Sequence, residues 1–239
     1  IHLYINQKQS KLKITLILEL GNKFLNLLIV KMNLIISQGG CSSWGIMEWA
    51  NNPFPVYING MEYNAHTRDP NNISFIDDLR KHVPQSENNK ILYVISNPYD
   101  YTIYCLSRIG KLPNWNIDHA KQTGSDYQYF VNNNPTLKQY LEDPYDAFSY
   151  KEHTEGYFNN KNRIYDLLFI KYDSLKDKKI MSEVKDFWGL GSSHPDFPYR
   201  ERKSNWTSCS DEIKNLFDKK YGDLMNWYKG LPDIKWIKK

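Results

Sequence analysis

Apolar residues fall into two kinds of run along this chain. Short continuous runs at 33–37 (NLIIS), 91–95 (ILYVI) and 167–171 (LLFIK) have the length and β-branched content of buried strands. A further short run at 55–58 predicts a second strand. Between and after them, apolar positions recur at helical spacing over 44–50, 74–82, 98–108, 136–141, 147–159 and 179–188, and again from Ser210 onward. The punctuation agrees with this reading. Asn97 and Pro98 fit an N-cap and a first helical position, Ser74 fits another N-cap, and Asp211 and Glu212 suit the first turn of the last helix. In that helix Ile213, Leu216, Phe217, Tyr221, Leu224 and Tyr228 form the apolar stripe. The stretches 38–43, 63–70, 111–133 and 189–199 read as loops and turns, rich in small or polar residues. Strands that alternate with helices predict an α/β domain with a mostly parallel sheet covered on both faces.

Residues 1–31 fit this scheme poorly. Their two apolar runs, ITLILEL and FLNLLIV, are each too short to span a bilayer, and Glu19 interrupts the first. Gly21-Asn22-Lys23 separates them, and no small-residue cleavage site follows. Met32 stands directly before the first strand. The expectation is that translation begins there, that 1–31 is a leader or read-through segment outside the fold, and that 32–239 forms one domain. An amphipathic N-terminal helix is the alternative.

Charge narrows the partners. The net charge of the 239-residue chain is +4, and the five Lys and one Glu of residues 1–31 account for all of it. The rest is balanced, which gives no support to nucleic-acid binding. Three Cys, none in a CxxC pair, argue against a disulfide framework or zinc site and for a reducing, cytoplasmic setting. The two sequons, at Asn72 and Asn205, are expected by chance in an Asn-rich chain. Aromatic residues make up 15% of the chain, which excludes disorder over most of its length.

Three segments carry candidate chemistry. Gly39, Gly40, Cys41, Ser42 and Ser43 form a small-residue loop between a strand and a helix, where backbone N–H groups can approach an anion. No Lys follows in the GxxxxGK[ST] pattern, which argues against a kinase or NTPase. Ser96–Arg108 again begins at a strand's carboxyl end, where parallel sheets bind ligands. Arg200, Arg202 and Lys203 bring cations suited to phosphate just before the last helix. Each segment also has a plain structural reading: a turn, a capped core helix and a solvated charge run.

Taken in order, these segments resemble one family. ISQGGCSSW is similar to the sulfotransferase phosphosulfate loop PKSGTTW, and KILYVISNPYDYTIY to its second motif KIIYVxRNPxDxxxS. LLFIKYDSLKDK resembles LxxRYEDLxxD, and DPYDAFSYKEHTEGYF the stretch that precedes it in some members. RERKSNW and KKYGDLM resemble the tail. Short sulfotransferase-like proteins of large DNA viruses share this spacing best. The resemblance covers about 32–234. It implies a three-layer sandwich like that of the P-loop nucleoside triphosphate hydrolases. It also implies transfer of a sulfuryl group from 3′-phosphoadenosine 5′-phosphosulfate to a hydroxyl or amine of a small-molecule or glycan acceptor. It would put Gly39–Ser43 around the phosphosulfate, Trp44 near adenine, and Ser96, Tyr104, Arg202 and Lys203 near the 3′-phosphate. The chain departs from the pattern in three places: Gly39 stands for the loop Lys, Ser96 for an Arg, and Tyr104 for a Ser. Arg108 and Arg200 are the nearby cations that could restore charge.

Sulfuryl transfer also needs a general base near neutral pKa. The family commonly uses a His between the loop and the second motif. His66, in NAHTRDP, is the expected base, with His82 and Glu48 as alternatives. Asp118-His119 and Glu152-His153 set an acid beside a histidine, but adjacent residues do not share a helix face, so no metal is expected. Aromatics over 99–165 either fill the core or line an acceptor cleft. A catalytically impaired nucleotide-binding protein of the same fold is the alternative function. No stable membrane insertion is expected.

Overall fold

The computed structural model describes residues 33–37, 43–50, 56–58, 61–63, 90–108, 123–161, 163, 165–201 and 205–239, with backbone alone at 33, 34, 43, 44, 56–58 and 61–63. Its centre is a four-stranded sheet of β1 (Asn33–Ser37), β4 (Lys90–Ile95), β5 (Asp166–Lys171) and β6 (Ile234–Ile237), in that spatial order. β1, β4 and β5 are parallel, with Ile36 opposite Tyr93 and Tyr93 opposite Phe169. β6 is antiparallel to β5 at one edge.

The pleat sorts side chains onto two faces. Ile36, Ile91, Tyr93, Ile95, Leu167 and Phe169 point one way, and Ile35, Leu92, Val94, Leu168 and Ile170 the other. The first face is covered by α2 (Pro98–Arg108), α5 (Tyr150–Phe158) and α7 (Asp211–Gly230). The second is covered by α1 (Ser43–Trp49) and α6 (Lys178–Trp188). The result is an α/β arrangement of three layers. Each large apolar side chain enclosed this way contributes about 1.5–3 kcal/mol relative to exposure. The two faces differ in kind. The α2 side is rich in tyrosine, and its hydroxyls find partners: Tyr99 donates to Asp218 Oδ1 at 2.8 Å, and Tyr140 and Tyr221 lie 2.7 Å apart. The α1 side is mainly aliphatic, with Phe187, Trp188 and Phe197 at its margin.

Caps explain where the helices start. Asn97 Oδ1 accepts from the Tyr99 N–H at 2.9 Å. Thr136 forms a capping box with Gln139 at the head of α4 (Leu137–Glu142). Asp177 accepts from Lys179 and Ile180, and Ser210 from Ile213. Gly189 ends α6 with φ 77°, in the left-handed region that costs glycine nothing.

The structure departs from the sequence reading at four elements. The strand expected at 55–58 is not part of the main sheet. It is β2 (Val56–Ile58), paired antiparallel with β3 (Met61–Tyr63) as a separate hairpin. Within the stretch read as a loop, α3 (Tyr127–Asn133) forms, capped by Asp126 accepting from Tyr129 N–H at 3.0 Å. The helix expected at 147–159 begins at Tyr150, because Asp146 Oδ1 takes the Phe148 N–H at 3.1 Å and Ser149 adopts φ 50°. β6 is the fourth. The helix expected at 74–82 lies outside the described residues, as do residues 1–31.

Candidate functional site

β1 and β4 are hydrogen-bonded neighbours, yet the helices that follow them go to opposite sides of the sheet. Ile46, Met47 and Trp49 of α1 pack on the aliphatic face, and Tyr99, Tyr101 and Cys105 of α2 on the tyrosine face. Two adjacent connections that diverge in this way leave a crevice at the carboxyl ends of their strands, where open α/β sheets bind ligands. Here β1 ends at Ser37 and β4 at Ile95, followed by Ser96, all three buried.

The start of α2 is already occupied. Asn97 accepts from the N–H groups of both Tyr99 and Asp100, at 2.9 and 3.4 Å. Ser96 is 2% exposed, and its carbonyl accepts the Tyr150 hydroxyl. Asp100 puts a carboxylate into the first turn, where the helix dipole would otherwise favour an anionic ligand. Cationic character appears farther along. The Arg108 guanidinium lies 5.2 Å from the Tyr104 ring centroid, and Asp100, Tyr104 and Arg108 share one stripe of the helix at four-residue spacing.

The tail runs between the two layers. After α6, His194 Nε2 donates to the Trp49 carbonyl at 2.8 Å, and Trp49 Nε1 donates to the Pro195 carbonyl at 2.7 Å. Phe197 is buried against α1, close enough that a Cβ at Gly45 would make an ordinary contact with its ring at 3.7 Å. The Tyr199 hydroxyl donates to Asp173 Oδ1 at 3.1 Å, and the Tyr172 hydroxyl to the Arg200 carbonyl at 3.0 Å. Both partners directly follow β5. Finally the Trp206 N–H donates to Asp100 Oδ1 at 2.7 Å, and the indole meets the Tyr99 ring edge-on at 5.0 Å. The tail thus touches α1 on one face, the end of β5, and α2 on the other face.

Of the residues expected in the site, Gly39, Gly40, Cys41, Ser42, His66, Arg202 and Lys203 lie outside the described residues, as does His82. Ser43 opens α1 and Trp44 stands in its first turn. Ser96 directly follows β4, and Tyr104 lies half-buried on α2. Glu48 is exposed on α1. The described ends of the cationic tail are held at Tyr172, just past β5, and at Asp100 on α2, and buried Ser96 lies directly after β4. Asp100 and Tyr172 are the residues that sequence reasoning missed. A first-turn Asp reads as a dipole charge, and no spacing links it to Trp206.

Most of the described aromatics of 99–165 serve the core, with Tyr101, Tyr150 and Tyr157 buried in one cluster, while Tyr145 is exposed. His153 is 0% exposed, with Nδ1 2.7 Å from the Tyr93 hydroxyl. Among the described residues, no helix is long and apolar enough to cross a membrane. No protein-family model matches the chain, and no curated protein or solved structure shows significant similarity to it.

Proposed function

We propose that this chain is a sulfotransferase of the P-loop-like α/β type, moving a sulfuryl group from 3′-phosphoadenosine 5′-phosphosulfate to a hydroxyl of a glycan or other small acceptor. The observation that carries the reading is that the neighbouring strands β1 and β4 send α1 and α2 to opposite faces of the sheet, together with the tail tied to both layers. The motif order of the sequence adds to this, because the small-residue loop follows β1 and the cationic segment precedes Trp206.

Not every residue suits the donor equally. The start of α2 offers no open N–H pair and carries Asp100. Tyr104, Arg108 and Arg200 carry the chemistry a phosphate would need, a phenol donor and two guanidinium forks. The donor would supply the sulfuryl group and carry away the bond electrons as its 3′,5′-bisphosphate. The acceptor oxygen forms the new S–O bond as the phosphosulfate S–O bond breaks. Its proton passes to the base, assigned to His66. His66→Ala then lowers turnover by about 10²–10⁴-fold.

Gly39 favours a second reading, a nucleotide-binding protein of the same fold without efficient transfer. An electrostatic group lost from the leaving-group site costs about 2.7–4 kcal/mol of transition-state stabilisation. Calorimetry with 3′-phosphoadenosine 5′-phosphate against ATP, followed by radiolabelled sulfate transfer to an acceptor panel, separates the cases. Preference for ATP eliminates the sulfotransferase reading. Bisphosphate binding with no transfer selects the second. A rate gain in Gly39→Lys restores the first.

A further inference from the structure

α4 ends at Glu142, and Pro144 follows in the next turn. In a continued helix the Tyr140 carbonyl would accept from the N–H of residue 144, but proline has none. Asp143 is extended, at φ −73° and ψ 128°, as a residue before proline prefers. The turn therefore directs the carbonyls of Tyr140, Asp143 and Tyr145 at a single point. The ammonium of Lys220, from α7, occupies that point at 2.7, 2.5 and 2.8 Å from the three oxygens. An ammonium has three N–H groups, so each finds a carbonyl. The Tyr140 ring centroid lies 4.0 Å away and that of Tyr221 5.6 Å away. Behind the rings, Asp146 Oδ1 accepts both phenols, at 3.0 and 2.7 Å.

We propose that the turn 140–145 is a monovalent-cation site, of the size and donor set for ammonium or potassium, which the chain fills with its own Lys220. The donors are neutral carbonyls and a ring face. Backbone carbonyls replace the water shell of potassium in selectivity filters, and ring faces attract ammonium groups. A divalent ion would call for carboxylate ligands. Here the Asp143 carboxylate is turned to the Tyr129 hydroxyl and the Tyr145 N–H instead, and that of Asp146 to the phenols. Lys220 is half-buried, so cutting back its stem opens a path from solvent to the three oxygens. The site is independent of the nucleotide reading, and α7 gains a tethered ion that dilution cannot remove.

The test takes the full chain as wild type, Lys220→Ala and Lys220→Met, each in matched high concentrations of ammonium, potassium and sodium chloride. Thermal midpoints and hydrogen–deuterium exchange across 143–146 are read in each salt, with the wild-type response subtracted as the general salt effect. Lys220→Ala should melt lower than wild type in sodium and regain about 2–4 °C in ammonium or potassium, with exchange across 143–146 slowing in step. Lys220→Met keeps a stem that blocks the path, so it should stay destabilised and respond alike to all three salts. If Lys220→Ala does not fold in sodium, its refolding yield in ammonium or potassium becomes the readout. Equal midpoints for Lys220→Ala in the three salts would overturn the site. So would a chain that stays unfolded in all of them, or a rescue that Lys220→Met shares.

Discussion

The Tyr93 hydroxyl lies 2.7 Å from Nδ1 of His153, and both residues are fully enclosed between the sheet and α5. Thr154 Oγ1 joins them at 3.2 Å from the same hydroxyl. One phenol on a central strand thus serves two polar groups of the covering helix. Tyr93→Phe keeps the ring and its stacking on Phe169 but removes a buried hydrogen-bond partner from His153 Nδ1 and from the Thr154 hydroxyl, which retains its bond to the Tyr150 carbonyl. A loss of about 1–3 kcal/mol is expected, read as a lower urea midpoint with an unchanged slope.

Alkaline instability follows from the tyrosine-rich face. Burial and nearby Asp146 push Tyr140 and Tyr221 up, burial and Asp218 push Tyr99 up, and burial raises Tyr101. Tyr129 is pushed up to about 12 by burial and by its bond to Asp143. Unfolded tyrosine loses its proton near 10.0. Above that the unfolded chain binds fewer protons than the folded one, so stability is full below pH 10 and falls as pH rises toward the folded values. Lys220, held low by burial, acts in the opposite sense over its own window below 10.5, but it is one group against five. Urea titrations at pH 8, 10 and 11 should show the fall, with tyrosinate absorbance appearing only on unfolding.

Lys220 ties α7 to the turn after α4. Its ammonium donates to the carbonyls of Tyr140, Asp143 and Tyr145, and lies 4.0 Å from the Tyr140 ring centroid. Lys220→Met retains the stem and removes the charge. The expected cost is about 2–3 kcal/mol, with faster exchange at 143–146 than at the sheet.

Gly222 sits inside the twenty-residue α7, with nothing within 4 Å of where a Cβ would stand. Gly222→Ala should therefore stabilise the fold by about 0.5–1 kcal/mol. A thermal midpoint that drops instead would show that this position needs its freedom.

The parts of the fold that were legible share a local cause. NLIIS, KILYVI and DLLFIK are apolar on both faces because both faces are covered, and Asn97-Pro98, Thr136 and Ser210 mark helix starts with their own side chains. The missed parts depend on distant partners. β6 is four residues long, IKWI, with adjacent Lys235 and Trp236 exposed and no period-two pattern, and it becomes a strand only by pairing with β5. α3 is spelled YQYFVNN, weak in intrinsic helix preference, and holds because Phe130 is buried and Asp126 caps it. Asn59-Gly60 carried the hairpin signal between β2 and β3 in plain view. For the site, the small-residue loop and the cations could be picked out by type. That α1 and α2 diverge could not, since each could cover either face until the other layers are in place.

β6 also acts as a guard. Ile234 and Ile237 close the hydrogen-bonding row of β5, and the Lys171–Asp233 pair, 3.2 Å apart, pins the strand where it begins. β5 is nearly all Leu, Phe and Ile. Stripped of its neighbour, it would present a long bare ribbon that another copy could zip onto. β6 thus covers the edge of β5 that would otherwise stand open to pairing with another strand.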